Sequence, residues 1–486
     1  MLREVVSDIR RMKTVSELLD YIPHKALEKA SYALLCVLCA LPLFSILNCA
    51  IFGERTNDSD LVFATMTYQY DWACLVEIIG LLGIIAGIVA LSKSVLENRR
   101  SGNNVQDFLR AHSVQLLLAA LLLWSTISCA LSDNMEKSIL GDGYRQEGLM
   151  MYFSYYGIFS LSYLLGSEKY RKNIISLIPL LALPIAAGIN FENEWLRTIL
   201  NYQNAEYANP FMNINHAGYY LCVAIMCSAA CFVMAQKKCK ALLLWSTAFV
   251  FLSAALLINS SLGPYLAVIA GLVIMLIIGL LLRKNIWKRV VIIGILFAVV
   301  TGVYIFSTNR LSKDTERLKG DITAIAENDE AKEVHAGSGR WPLWTAAVEF
   351  AREKPVFGFG PDNLGEQYAA RNLKMDRPHC VPLQIAASLG IPALLFYLLA
   401  LTVYIVLLFK KGRRATVFDV MLFSIGSAYF VSSLVGNSMF YTTPYFCLIW
   451  GMALRLKSAE PEKHDGDYGQ RATCDRVLSA PSRECR

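Results

Sequence analysis

The run PYLAVIAGLVIMLIIGLLL at residues 264–282 contains no charged side chain, and it decides the fold. About 20 apolar residues in a helix cross the ~30 Å hydrocarbon core of a bilayer. Backbone polar groups find no water in that core, so a spanning segment must satisfy them internally, as a helix does. Residues 264–282 therefore predict a transmembrane helix.

Eleven further apolar runs repeat this pattern along the chain. They lie at about 31–52, 71–91, 113–131, 149–166, 173–190, 213–235, 241–259, 288–306, 382–409, 417–435 and 441–456. Hydrophobic residues make up 55% of the 486, and charged residues only 17%, against about 25% in a typical soluble domain. The sequence predicts an all-α polytopic membrane protein with about twelve transmembrane helices.

The basic residues between these runs predict the orientation of the chain. Eighteen Lys and Arg side chains fall in the inter-helix loops on the side of the N-terminal segment, while the short loops opposite carry only Arg55, Lys137, Arg145 and Arg197. Cytoplasmic loops are enriched in Lys and Arg, so both termini are predicted to be cytoplasmic. This pattern accounts for the net charge of +7. Since no basic stripe lies on a soluble domain, we expect no nucleic-acid partner.

Three other regions flank or interrupt the helices. Residues 1–30 are predicted to be a cytosolic lead-in to a bundle over 31–456, and the polar tail at 457–486 is predicted to be cytosolic and disordered. A long loop at about 307–381 falls on the outer side, and loops of this length are usually functional. Within it, apolar residues recur at helical spacing over 342–353, which predicts a helix along the outer membrane face.

The metal-binding and disulfide signals in the sequence are weak. Most of the thirteen cysteines lie inside apolar runs, where they behave as small hydrophobes. No pair of CxxC motifs indicates zinc or a disulfide framework, and no carboxylate cluster suits Mg²⁺ or Mn²⁺. We therefore expect no metal and no cofactor.

Polar side chains that suit chemistry gather on the predicted outer face. They are Arg145 in the segment GYRQEG, Asn215 and His216 at the start of the sixth run, Arg340 and Trp344 at the amphipathic helix, Asn363 after a glycine-rich turn, and Arg377 and His379 before the tenth run. Structural alternatives stay open for four of them. Arg145 would reach the lipid interface, His216 would bond a helix end, Arg340 would anchor beside tryptophans, and His379 would be an ordinary loop residue.

Two segments of the long loop resemble the signature of O-antigen ligases and related O-antigen polymerases. One begins at Arg340 with RWPLWTAAV and continues at Lys354 with KPVFGFGPDN; the other runs from His379 to LGIPALL at 389–395. The segments GYRQEG and NPFMNIN also resemble family motifs. The resemblance covers roughly 120–455. It implies a GT-C-like bundle whose long extracytoplasmic loop carries an arginine near its start and a histidine near its end.

The chain departs from the family pattern at two positions. Leu262 stands in Ser-Leu-Gly where the family often has Ser-Arg-Gly, and Cys380 follows His379 where the family usually has asparagine. The family arginine is thought to meet a phosphate, so Arg145 is a candidate to replace it.

The resemblance implies transfer of a glycan from a polyprenyl-diphosphate carrier to an acceptor hydroxyl on a glycan, lipid or protein. Arginine binds phosphate bidentately and stays protonated, so Arg340, with Arg145, would stabilise the leaving diphosphate. His379 would act as general base, kept neutral by Arg377, and the transfer would need no metal. The predicted substrate-binding residues are Arg145, Asn215, His216, Trp344, Asn363 and Arg377.

Other functions fit the same helices. A transporter or flippase would need polar residues lining a path through the bilayer, and the apolar runs contain few, Glu77 being one. A third alternative is that the protein is a structural membrane subunit without enzymatic activity. Within the enzyme class, the sequence does not separate a polymerase from a ligase.

Overall fold

The computed structural model describes residues 11–52, 61–102, 104–143, 145–191, 210–211, 213–235, 239–308 and 339–454. Within these ranges the regular structure is helical. In chain order the α-helices are α1 (Val15–Tyr21), α2 (His24–Phe52), α3 (Leu61–Arg100), α4 (Val105–Ala111), α5 (Ser113–Ala130), α6 (Met135–Leu140), α7 (Leu149–Tyr163), α8 (Glu168–Asn190), α9 (Ile214–Met234), α10 (Cys239–Ile258), α11 (Leu262–Leu281), α12 (Trp287–Thr308), α13 (Trp341–Glu353), α14 (Leu364–Ala370), α15 (Val381–Leu389), α16 (Ile391–Lys411), α17 (Val417–Ser433) and α18 (Thr443–Leu454).

Each of the twelve predicted runs coincides with helix in the structure. Nine helices in the described part of the chain are long and apolar enough to cross a membrane, which confirms the polytopic all-α class. The remaining runs correspond to α7, α17 and α18, which have 15, 17 and 12 residues and fall at or below the usual spanning length. The count of twelve spans therefore stays a prediction. Most of the long loop, at 309–338, and the predicted tail lie outside the described residues.

The prediction that the tenth run forms one continuous helix over 382–409 is wrong. The helix is broken at Gly390, which has φ +88°, and α16 starts afresh with a proline in its first turn. A Cβ at Gly390 would lie 2.0 Å from the carbonyl oxygen of Val356. The break therefore needs a residue without a side chain, and it lets the loop chain pack directly against the helix end.

Contacts between helix ends show that the chain alternates in direction from α9 to α12. Where α10 leads into α11, the Asn259 amide donates to the Ile214 carbonyl at 2.6 Å, at the start of α9. At the far end of α9, the Arg289 guanidinium donates to the Val233 carbonyl at 2.6 Å. The C-terminal ends of α9 and α11 therefore lie at one end of the bundle, and His216 lies at the other.

Helix α9 forms the centre of the bundle. Of the residues in its membrane-spanning stretch, 94% are buried in the protein, whereas the corresponding shares in α12 and α16 are 22%. In a membrane the apolar side chains on such exposed faces meet lipid, so their exposure carries no cost. The core position of α9 fixes the residues at its start, and these lie beside the candidate site.

Candidate functional site

A buried carboxylate organises the segment before α7. Glu147 is 1% exposed and accepts hydrogen bonds from the Tyr155 hydroxyl at 2.5 Å, the Ser438 hydroxyl at 2.8 Å and the Gln384 amide at 3.5 Å. These partners come from α7, α15 and the segment before α18. A buried charge needs partners of this kind to offset its lost hydration. Glu147 therefore joins three distant parts of the chain at one end of the bundle.

Arg377 completes this buried network. Its guanidinium lies 2.5 Å from Glu147 Oε2, pairs with Asp362, and donates to the Ser438 carbonyl at 3.1 Å. Burial alone would lower the pKa of Arg377, but the two carboxylates outweigh it and raise the pKa above its ordinary value. The side chain is 2% exposed, so its donors are engaged by protein groups. The geometry makes Arg377, which we predicted to bind substrate, a bridge between loops.

Asp362 ties the glycine-rich turn to the same network. Its Oδ2 accepts from the backbone N–H of Asp142 at 2.7 Å and of Glu147 at 3.3 Å. Asp362 has φ +56°, and Gln146 and His379 nearby have φ +48° and +52°. Left-handed conformations cost energy in residues other than glycine and concentrate at functional sites. Three residues in this conformation lie in loops at this end of the bundle.

Arg145 lies beside the network in a second ion pair. Its Nε and Nη2 donate to the two oxygens of Asp376 at 2.7 and 2.8 Å, in a fork-to-fork arrangement. Burial would raise the pKa of Asp376, but the hydrogen bonds and charge of Arg145 outweigh it and hold the pKa below its ordinary value. The carboxylate is 36% exposed and the arginine 12%. The charge of Arg145 is thus located at the site, where the Asp376 carboxylate neutralises it.

His379 lies at the end of the loop that carries Asp376 and Arg377. Its Nδ1 is 3.2 Å from the side-chain amide nitrogen of Asn437. Burial, followed by the positive charges of Arg145 and Arg340, lowers the pKa of His379 to about 4. The imidazole is therefore neutral near pH 7, as a base requires. Arg377 contributes in the predicted direction, but it is not the main cause.

Arg340 caps the start of α13, and its charge acts on His379. No carboxylate in the described part of the chain lies within ion-pair distance of its guanidinium, which is half-buried. Arg340 therefore differs from Arg145 and Arg377, each of which has acidic partners. An arginine held close to a neutral imidazole without a carboxylate partner is suited to an anionic ligand.

Helix α9 contributes the predicted residues Asn215 and His216. The His216 ring is 2% exposed and lies 5.7 Å from the Tyr441 ring, between centroids. Its Nδ1 is buried and has no hydrogen-bond partner among the described residues. Asn215 accepts a hydrogen bond from the Ser261 hydroxyl at 3.1 Å. The ring nitrogen of His216 is therefore unpaired among the described residues, whereas Asn215 serves the junction between α9 and α11.

Asn363 holds the loop, and Trp344 lies in the first turn of α13. The Asn363 amide donates to the Ser138 hydroxyl at 2.7 Å and so fastens the turn to α6. The indole N–H of Trp344 is buried and has no hydrogen-bond partner among the described residues. The predicted helix over 342–353 is present as α13, and its apolar side chains Leu343 and Phe350 pack in a small core with Phe359.

The packing of the segment from Lys354 to Pro361 explains why its motif contains glycines. The backbone N–H groups of Phe359 and Gly360 donate to the carbonyls of Ala387 and Ser388 at 3.1 and 2.8 Å. A Cβ on Gly358 would lie 2.4 Å from the backbone of Ser388. The motif therefore packs backbone to backbone against the end of α15 and places the His379 loop.

Sequence reasoning missed three members of the site: Glu147, Asp376 and Asn437. Two of them carried a signal, because Glu147 lies two residues after Arg145 and Asp376 directly precedes Arg377. Acidic residues beside arginines in outer loops indicate ion pairing. Asn437 carried no such signal. Among the described residues, no group of three or more His, Cys, Asp and Glu side chains could hold a metal ion.

These features define a polytopic helical membrane protein with a polar, arginine-rich site at one end of its bundle. Residues 247–398 match the family described as O-antigen ligase, which supports the family indicated by the motifs. The matched range contains Arg340, His379 and helices α13–α15, and Arg145 and Asn437 lie outside it. No curated protein matches the chain. The match supports glycan transfer of the O-antigen ligase type in general, and the family implies a lipid-linked glycan as substrate and a membrane environment.

Proposed function

We propose that the protein transfers an oligo- or polysaccharide from a polyprenyl-diphosphate carrier to an acceptor hydroxyl, without a metal, at the outer face of a bacterial cytoplasmic membrane. The observation that carries this proposal is the proximity of a neutral, half-buried histidine, His379, to Arg340, an arginine without a carboxylate partner among the described residues. The acceptor is the hydroxyl of a glycan, a lipid or a protein.

The reaction follows from the chemistry of these two side chains. His379 takes the proton from the acceptor hydroxyl as its oxygen bonds to the anomeric carbon of the donor sugar. The bond from that carbon to the diphosphate oxygen breaks, and the diphosphate leaves on the carrier with the electron pair. This leaving group is anionic, so it needs charge stabilisation more than a proton donor. Arg340 supplies that stabilisation in a site partly shielded from water.

The orientation belongs to the same proposal, with both termini cytoplasmic and the His379 loop outside. Lys374 is exposed in that loop, and Ser101 is exposed after α3 at the opposite end. In cells carrying Lys374→Cys, an impermeant maleimide is expected to label the protein from outside. Ser101→Cys is expected to react only after the membrane is opened. The reverse labelling pattern would place the site in the cytoplasm and end the proposal.

The catalytic roles are tested with His379→Gln and Arg340→Gln, assayed for glycan transfer at matched membrane expression. Each variant is expected to lose roughly 10²-fold or more in rate, the usual loss for a general base or a charge-stabilising donor. Arg352→Gln is the control, because Arg352 is an exposed arginine on the same helix as Arg340. Wild-type rates in either site variant would remove that residue from the reaction, and loss of transfer in EDTA would exclude a metal-independent step.

Ligase and polymerase are separated by the products that accumulate when the gene is deleted. Loss of the glycan ladder would indicate a polymerase, and full-length glycan retained on the carrier would indicate a ligase.

A further inference from the structure

Among the described residues, the charges of the site balance before any substrate is bound. They belong to three arginines and three carboxylates: Arg145, Arg340, Arg377, Glu147, Asp362 and Asp376. Arg377 is enclosed by two buried carboxylates, so it has little charge to offer a ligand. A diphosphate brings more than one negative charge. Arg340 alone would leave it under-compensated, and Arg145 is the remaining cation of the site.

The pair between Arg145 and Asp376 has the geometry of a phosphate contact. Both carboxylate oxygens face the guanidinium fork at 2.7 and 2.8 Å, and arginine uses the same two-donor arrangement for phosphate oxygens. The partners differ in exposure, with 36% for the Asp376 side chain and 12% for Arg145. The carboxylate therefore has access to solvent and can be replaced there by water, while the arginine is held by its surroundings.

We propose, resting on the function above, that Asp376 occupies the Arg145 fork in the absence of substrate and that the carrier diphosphate displaces it. Asp376 is then a specificity residue. A ligand must offer enough negative charge and two suitably spaced oxygens to replace a carboxylate already in place. A diphosphate meets this requirement better than a monophosphate or a neutral lipid.

The exchange can take place without moving the proposed base. Arg377 stands between Asp376 and His379 in the chain, and it is fixed by Glu147 and Asp362. The next residue, Pro378, has a restricted φ. Rotation of the Asp376 side chain breaks its 3.9 Å contact with the Arg377 guanidinium, but Arg377 stays held by Glu147 and Asp362, so His379 keeps its position while the diphosphate binds.

Binding of farnesyl diphosphate to the purified full-length protein in neutral-lipid nanodiscs tests the exchange. Asp376→Asn removes the competing charge and is expected to tighten binding by about 10-fold, with a smaller gain for farnesyl monophosphate. Asp376→Glu keeps the charge and is expected to bind like the wild type. In the double variant Arg145→Gln/Asp376→Asn the gain is expected to disappear, because the fork that benefits is gone.

Asp133→Asn is the matched control for net charge. Asp133 is an exposed carboxylate at the same end of the bundle and pairs with Lys354 at 2.8 Å. An equal gain in this variant would show a general charge effect and overturn the exchange, as would unchanged or weaker binding in Asp376→Asn. These results would leave the proposed function standing. Failure of the wild type to prefer farnesyl diphosphate over farnesol would instead contradict the proposed function itself.

Discussion

The side-chain amide of Asn437 contacts Nδ1 of His379 at 3.2 Å, which leaves Nε2 as the ring nitrogen available to substrate. A base at Nε2 requires the proton to sit on Nδ1, and Nδ1–H must then donate to an oxygen. The two ends of an asparagine amide exchange on a half-turn of the side chain. In the proposed mechanism, the active arrangement presents Asn437 Oδ1 to Nδ1–H, and Asn437 would position the base.

Asn437→Ala is expected to lower the transfer rate by roughly 10-fold, since the imidazole loses the group that selects its tautomer. Asn437→Asp keeps an oxygen at the same place and is expected to retain transfer. Its carboxylate also stabilises the imidazolium, so the acid limb of the rate profile should move to higher pH. Asn173→Ala, an exposed asparagine that contacts Tyr32, is the control. Identical pH profiles in Asn437→Asp and the wild type would show that the contact is only structural.

The pH dependence of transfer follows from the pKa of His379, which is lowered to about 4. The neutral form is the base, so activity is retained above this value and lost as the pH falls through it. A plot of kcat/KM against pH is expected to be flat around neutrality, with its acid limb near 4. An acid limb at the ordinary histidine value of 6.5 would show that the buried environment does not act on this residue.

The same shift affects stability, with a definite sign. The folded state holds His379 neutral, while the unfolded chain binds a proton below pH 6.5. The unfolded state therefore gains protons first, and the contribution of His379 to stability falls as the pH drops from about 6.5 towards 4. As the pH drops across this range, the melting temperature of the wild type is expected to fall relative to that of His379→Gln, and a constant difference between the two would contradict the shift.

Arg377→Ala should destabilise the fold, because it leaves Glu147 and Asp362 buried without their cation. Breaking a buried ion network in this way costs about 3–5 kcal/mol. Arg110 provides the comparison, since its pair with Asp107 is exposed on both sides, and Arg110→Ala is expected to cost under about 1 kcal/mol. Thermal unfolding in detergent measures both variants. Equal melting temperatures would mean that the network does not hold the loops together.

Gly390→Ala should also destabilise the fold, because it adds a side chain where φ is +88° and the Val356 carbonyl lies in the way. Gly302→Ala is the matched substitution within α12, where an added Cβ meets nothing within 4 Å. Alanine favours helix over glycine by up to about 1 kcal/mol, so Gly302→Ala is expected to be neutral or stabilising. A Gly390→Ala variant as stable as Gly302→Ala would show that the helix break tolerates a side chain.

The helices could be predicted from the sequence because a bilayer imposes one length and one composition on every spanning segment. The break at Gly390 was missed because the apolar run continues through it and only the backbone angle ends the helix. The helix after Arg340 was predicted because proline and a helical apolar spacing mark it locally. Local signals of this kind were sufficient for the positions of the elements.

The predicted site was incomplete for a different reason. The sequence brought Arg145, Arg340 and His379 to one end of the bundle, where the structure also places them. It could not assign their partners, since Arg145 and Asp376 are 231 positions apart and Arg377 and Glu147 are 230 apart. Pairing over such distances depends on the packing order of the helices. For this reason Arg377 was predicted to face substrate, whereas the structure encloses it between carboxylates.

The partners of the buried network are synthesised at different times. Glu147 leaves the ribosome 291 residues before Ser438, its hydroxyl partner, an interval of roughly 15–60 s at ordinary elongation rates. During this time the Glu147 carboxylate lacks its later partners, of which Arg377 is made first and Ser438 afterwards. The complete network therefore forms only after the segment that carries Ser438 has been made. A chain that ends before it lacks the hydroxyl that pairs with the Glu147 carboxylate.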